Sequence, residues 1–121
     1  MASATPARQP AQTIIDISKE KNYLARQYYL VISRAADGLD PVFEHLEAHL
    51  TYHEKLEADG IEIAAGPPWT ADGKEWEGGG LMLFKADSVE AAHALAGADP
   101  MHSSGARTYE IVPWMINHGV L

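Results

Sequence analysis

Histidine is the residue type that stands out for chemistry: there are six, and His45, His49 and His53 recur every fourth position of one segment. If that segment is helical, a rotation of about 100° per residue places His49 and His53 in an apolar stripe with Leu46 and Leu50, with His45 nearer its edge. Imidazoles on a buried helix face need hydrogen-bond partners, because unpaired polar groups there are expensive. Three uses fit such rings. They can be satisfied core residues. Two histidines one turn apart can chelate zinc, with Asp72 or His102 as a third ligand. But the chain has neither an HExxH motif nor a cysteine, so no metal is expected. Finally, one ring can act as acid or base, given a carboxylate to set its tautomer and a pocket for substrate.

Other side chains invite a role beside these. Trp69 and Trp114 offer flat apolar area with one donor each, which suits a substrate pocket or equally a core or subunit interface. Trp76, in a polar loop, is placed to close over a site. Arg34 follows an apolar run and can hold an anionic group or simply stand solvated. His102 and Ser103-Ser104 follow a proline break, where they border a cleft or form plain loop. Asp99, before Pro100, reads as a turn cap. Asp72, within Asp-Gly, reads by itself as a turn former.

The elements that must position these residues can be traced along the chain. Ala, Ser, Thr, Pro and Gln dominate up to Thr13, which predicts a disordered tail. Ile14, Ile15 and Ile17 follow, in a short helix or a strand-like arm. Gln27–Ser33 is rich in aromatic and β-branched residues and reads as the first strand. Asp40 as N-cap and Pro41 at the first helical position open the histidine-bearing helix, and Gly60 ends it. Its stripe comprises Val42, Phe43, Leu46, Leu50 and Leu56. Ile61–Ala65 is a second strand, stopped by Gly66-Pro67-Pro68, and Trp69–Gly79 is a loop. Gly80–Lys85 is a third strand. Asp87-Ser88-Val89-Glu90 starts a second helix that runs to Gly97. Arg107–Met115 is a fourth strand, with Pro113 at a sheet edge or bulge. The order β-α-β-β-α-β is the ferredoxin-like α+β arrangement. It assigns residues 1–25 to a flexible N-terminal extension and 26–121 to one domain.

Composition narrows the function classes. Apolar residues make up 46% and charged residues 21%, ordinary values for a globular chain. The formal net charge is −8, and the nine Lys and Arg form no cluster, so nucleic acid is not an expected partner. Neither the N-terminal segment nor any other has the apolar run of a signal peptide or membrane span, and no cysteine is present; a cytoplasmic protein without membrane contact is expected. A chain this short buries a modest share of its surface, so a second subunit over the open sheet face would help it.

The chain also resembles the YCII-related family of dimeric α+β barrel proteins, over about Gln27–Asn117. The likeness rests on His49, Leu56, Gly60, Gly66-Pro67 and Asp72, then Gly78-Gly79-Gly80, Asp99-Pro100 and Ile111-Val112-Pro113-Trp114, in that order and spacing. The resemblance implies a homodimer in which His49 and Asp72 form the active-site pair. It also implies a lyase or isomerase without cofactor, acting by elimination or tautomerisation on a small cyclic or aromatic compound, since one member is a dehydrochlorinase of a chlorinated hydroxyhydroquinone. In that reading His49 is the base, Asp72 orients it, and His53, Trp69, Trp114 and Arg34 contact substrate. A carboxylate beside an imidazole favours its cation, whereas burial disfavours it. The alternative is a noncatalytic small-molecule-binding protein with the same pocket; a cofactor-free oxygenase is a third option by analogy of fold alone. Two positions depart from the family pattern: Leu46 stands where some members have arginine, and His53 where an apolar residue is usual.

Overall fold

Along the chain the elements are α1 (Ala11–Glu20), β1 (Arg26–Ala35), α2 (Asp40–Ala58), β2 (Glu62–Gly66), β3 (Gly80–Phe84), α3 (Val89–Gly97), α4 (Pro100–Ser103) and β4 (Arg107–Ile116). The structure, a computed structural model, describes residues 7–121. In α2, Pro41 occupies the first turn, where its missing N–H leaves no bond unmade. The helix starts at the expected cap itself, one residue earlier than foreseen, with Leu39 as N-cap. Asp40 therefore sits within the first turn, where its charge faces the positive end of the helix dipole. The chain leaves α2 through Gly60 at φ +74°, a left-handed conformation that favours glycine. Ser88 caps α3 by accepting the Ala91 N–H at 3.0 Å.

The four strands form one sheet in the order β2-β3-β1-β4, the ferredoxin-like order, with β3 antiparallel to both neighbours. β4 is an edge strand, which is why it can run through Pro113 to Ile116: no further strand requires the missing N–H. Pairing sets Tyr29 against Phe84, Val31 against Met82 and Ser33 against Gly80. Alternate residues therefore share a face, and Val31, Met82 and Phe84 form a core with Leu56 of α2 and Ala96 of α3. Phe84 is fully buried, worth about 1.5–3 kcal/mol of transfer free energy by itself. Val42, Met101 and Ala106 make a second cluster beneath Leu46 and Trp76.

The glycine run before β3 is a packing requirement. A Cβ on Gly79 would lie 2.5 Å from the Ser33 carbonyl oxygen, and one on Gly78, at φ +92°, would lie 2.8 Å from Leu39 Cδ2. Only glycine lets this loop pass so close to β1 and the start of α2.

Residues 28–114 form one compact unit, and among the other described residues 7–27 with 115–121 form another. In the second unit α1 is a helix, which decides between the helix and arm expected there. It begins at Ala11, inside the stretch to Thr13 expected to be disordered; the rest of that stretch up to Pro6 lies outside the described residues. Asn117 ties this unit together. Its amide donates to Ser18 Oγ at 2.9 Å and accepts the Ala25 N–H at 3.2 Å, while its carbonyl accepts from Leu24.

Candidate active site

One turn apart on α2, the buried rings of His49 and His53 lie 4.3 Å from each other. Their common partner is Asp99. It caps α4, accepting the Met101 N–H at 2.9 Å, and this bond orients a carboxylate that is only 1% exposed. Both oxygens stand 2.9 Å from His49 Nδ1, and Oδ2 stands 2.6 Å from His53 Nε2. On its other side, His53 Nδ1 meets Glu62 Oε1 at 2.5 Å. Glu62 pairs with Phe84 in the β2–β3 ladder, just before a register shift, and His53 stacks against the Phe84 ring. A hydrogen-bonded chain, Glu62–His53–Asp99–His49, thus crosses the interior.

The proton positions follow from chemistry. Ionised carboxylates only accept, so each ring nitrogen facing one carries hydrogen. His53 lies between two and is an imidazolium. Burial works against that charge, but the bonds to Asp99 and Glu62 outweigh it and raise its pKa to about 9. Burial likewise favours the neutral form of Asp99, yet bonds from His49, His53 and the Met101 N–H hold its carboxyl well below the usual range. His49 donates through Nδ1, which leaves Nε2 as an acceptor with no hydrogen-bond partner among the described residues.

His49 and His53 form one wall of a cavity of about 420 Å³. Leu46, Leu50, Pro67, Trp69, Trp76 and Met82 make most of its lining apolar, and Gly80 and Arg107 complete it. The size suits a small organic molecule. Donor atoms of His49, His53 and Asp99 also lie within 4.8 Å of one another and are, among the described residues, the group that could hold a metal ion. A tetrahedral ion about 2.1 Å from each ligand would space them roughly 3.4 Å apart. The 2.6 Å between His53 Nε2 and Asp99 is instead the length of a direct charged hydrogen bond.

The YCII-related domain profile matches residues 27–115. The chain belongs to the YCII-related family. A solved structure similar to it is the 5-chloro-2-hydroxyhydroquinone dehydrochlorinase of Burkholderia phenoliruptrix, in complex with 2,5-dihydroxybenzoquinone. That enzyme is 25% identical, with a TM-score of 0.61 over 72% of this chain and 92% of its own. No curated protein matches.

In this YCII-related chain the expected pairing of His49 with Asp72 is not formed; Asp99 takes that place. Asp72 is exposed and turned into its own loop, accepting Thr70 Oγ1 at 2.6 Å and the Lys74 N–H at 3.1 Å, bonds that hold its carboxyl below the ordinary range. Its side chain completes the Asp-Gly turn. Of the four expected substrate contacts, His53 and Trp69 line the cavity, although both His53 nitrogens are engaged. Trp114 and Arg34 are not among its lining residues. Arg34 instead pairs with Glu110 at 2.9 Å on the surface. Trp76 does line it, its indole N–H donating to the Gly79 carbonyl at 2.8 Å. His102 is a structural residue: Nδ1 donates to the Ala96 carbonyl and Nε2 accepts the Ser33 hydroxyl. Sequence reading missed Glu62 and Arg107 and took Asp99 for a cap only. The signals for Asp99 were the pair of buried-face histidines needing an acceptor and the place of Asp99-Pro100 in the family likeness.

Proposed function

We propose that this protein is a cofactor-independent lyase or isomerase acting on a small cyclic or aromatic compound, with His49 as general base and Asp99 as the carboxylate that orients it. The reading is carried by one observation: an imidazole fixed through Nδ1 by a buried carboxylate, with its other nitrogen unpartnered in the wall of a largely apolar cavity. His49 Nε2 takes a proton from the substrate. The freed electron pair then either expels an anionic leaving group, an elimination, or is reprotonated at another ring atom, a tautomerisation. His53 does not serve as the base, because both its nitrogens are spent on carboxylates. The likeness to a dehydrochlorinase supports elimination as the first reaction to try.

The test is turnover of a chlorinated hydroxyhydroquinone. His49→Ala and Asp99→Asn are each expected to lower kcat by about 10²–10⁴-fold, the usual share of general acid–base assistance. Asp72→Asn is expected to leave it within about twofold. Undiminished rates in both of the first two variants would sink the reading in favour of a passive binding pocket.

We also propose a cytoplasmic homodimer. Among the described residues no helix is long and apolar enough to cross a membrane. Leu30 and Ile32, paired with Leu83 and Leu81, occupy the sheet face opposite Val31 and Met82, an apolar surface suited to a second copy.

A further inference from the structure

Trp69 lines the His49 cavity, yet 61% of it is exposed. It also borders a second cavity of about 410 Å³, together with Ile32, Thr70 and Leu81. With two hollows against it and most of its surface in solvent, the indole is not held by packing. Its place must come from the backbone that carries it.

That backbone is braced from both ends. Pro67 and Pro68 precede Trp69, and their rings fix φ at two successive residues. Thr70, directly after it, is the hub of the loop. Its N–H donates to the Glu75 carbonyl at 2.9 Å, and its carbonyl accepts the Gly73 N–H at 2.8 Å. The Thr70 hydroxyl donates to Asp72 Oδ1 at 2.6 Å and accepts the Glu75 N–H at 3.2 Å. Asp72 Oδ1 accepts the Lys74 N–H as well, at 3.1 Å. All of these bonds close within residues 70–75, so the loop is stiffened by itself and not by its neighbours. Beyond it, Trp76 anchors the chain, donating to the Gly79 carbonyl and meeting the Phe43 ring edge-on at 5.9 Å.

We propose that Thr70 and Asp72 are positioning residues: they hold the Trp69 indole as a stacking wall of the cavity, which thereby selects a flat aromatic ligand over a puckered ring of similar size. This deepens the reading of the cavity as the site of a small cyclic or aromatic substrate, and rests on it. A planar ring brings its whole face against an indole, whereas the axial hydrogens of a saturated ring keep the two apart, and stacked aromatic pairs gain beyond the area they bury. The Asp72-Gly73 turn then serves the ligand through Trp69 and not through His49.

Phenol and cyclohexanol are the probes, rings of similar size with one hydroxyl each, titrated into the full chain and followed by NMR. Phenol is expected to bind the wild type about tenfold more tightly than cyclohexanol. Trp69→Leu keeps apolar bulk without a ring and should abolish that preference. Thr70→Val removes the hydroxyl at nearly constant shape and should cut the preference about threefold. Thr70→Ser and Asp72→Asn keep the bonding atoms and should retain it. In the Trp69→Leu background, Thr70→Val should change phenol binding by less than about 1.5-fold, a coupling that a merely structural role would not produce. His49→Ala should keep the preference, which separates this inference from the catalytic one. Equal binding of the two probes by the wild type would overturn it, as would uptake of neither up to about 50 mM. So would a preference that survives Trp69→Leu or is lost in His49→Ala, or a Thr70→Val effect as large in the Trp69→Leu background as in the wild type. None of those outcomes bears on the turnover of His49→Ala and Asp99→Asn, by which the base is judged.

Discussion

At the scale of single residues, the chain Glu62–His53–Asp99–His49 divides labour between two histidines of the same helix. His53 is held charged by acceptors on both sides, and its charge helps keep Asp99 ionised; Asp99 then fixes the tautomer of His49. The pH dependence follows with a definite sign. His53 has a folded pKa of about 9 against an ordinary 6.5, so its contribution to stability is fully present below about 6.5 and is lost as pH rises through about 9. Asp99 has a depressed folded pKa, so its contribution is present above the ordinary carboxylate range and is lost as pH falls below it. Urea midpoints measured from pH 5 to 10 should therefore decline on the alkaline side, and His53→Leu should flatten that limb. A profile unchanged in His53→Leu would show that His53 is not the titrating group. Glu62→Gln, which removes one of the two acceptors' charges, should move the alkaline limb to lower pH. Asp99→Ala leaves two buried imidazoles without their acceptor and is expected to cost about 3–5 kcal/mol, readable in the same titrations.

Among the elements, the site depends on three local devices: the left-handed exit of α2, the register of β2 on β3, and the Asp99 cap. Glu62 reaches His53 because it sits opposite Phe84, before the shift that brings Ala64 opposite Leu83. A one-residue slip would turn Glu62 to the other face of the sheet. The Gly78-Gly79-Gly80 run is set by packing at all three positions, the third because a Cβ there would stand 3.1 Å from Arg107 Nη1. Gly79→Ala should lower stability by about 1–3 kcal/mol, because the new Cβ meets a backbone oxygen that has no means of yielding. Ser88→Ala should cost about 1 kcal/mol through the lost α3 cap without touching the cavity. Thermal unfolding of the two variants side by side checks both values.

At the scale of the whole molecule, α2 and α3 cover the sheet face of Val31 and Met82 and leave its other face to a partner under the proposed homodimer. The apolar residues there include Leu81, which is 38% exposed. If a second copy covers this face, Leu81→Asp should convert the dimer to monomer in light scattering, with little change in the circular dichroism of the chain. An unaltered mass would place the interface elsewhere.

What the amino-acid order determined by itself was local. Caps, prolines and glycines placed α2, α3 and the four strands within a residue or two, and the period of α2 put His49 and His53 on its buried face. These signals act between neighbours in the chain, and so they can be read from the chain. The partner of His49 could not be. Asp99 is fifty residues away in sequence, and its carboxylate looks like any Asp-Pro cap until α4 is packed beside α2. Glu62 and Arg107 were hidden for the same reason: a charge within a strand-forming run declares no partner until the sheet register decides which side chains face one another.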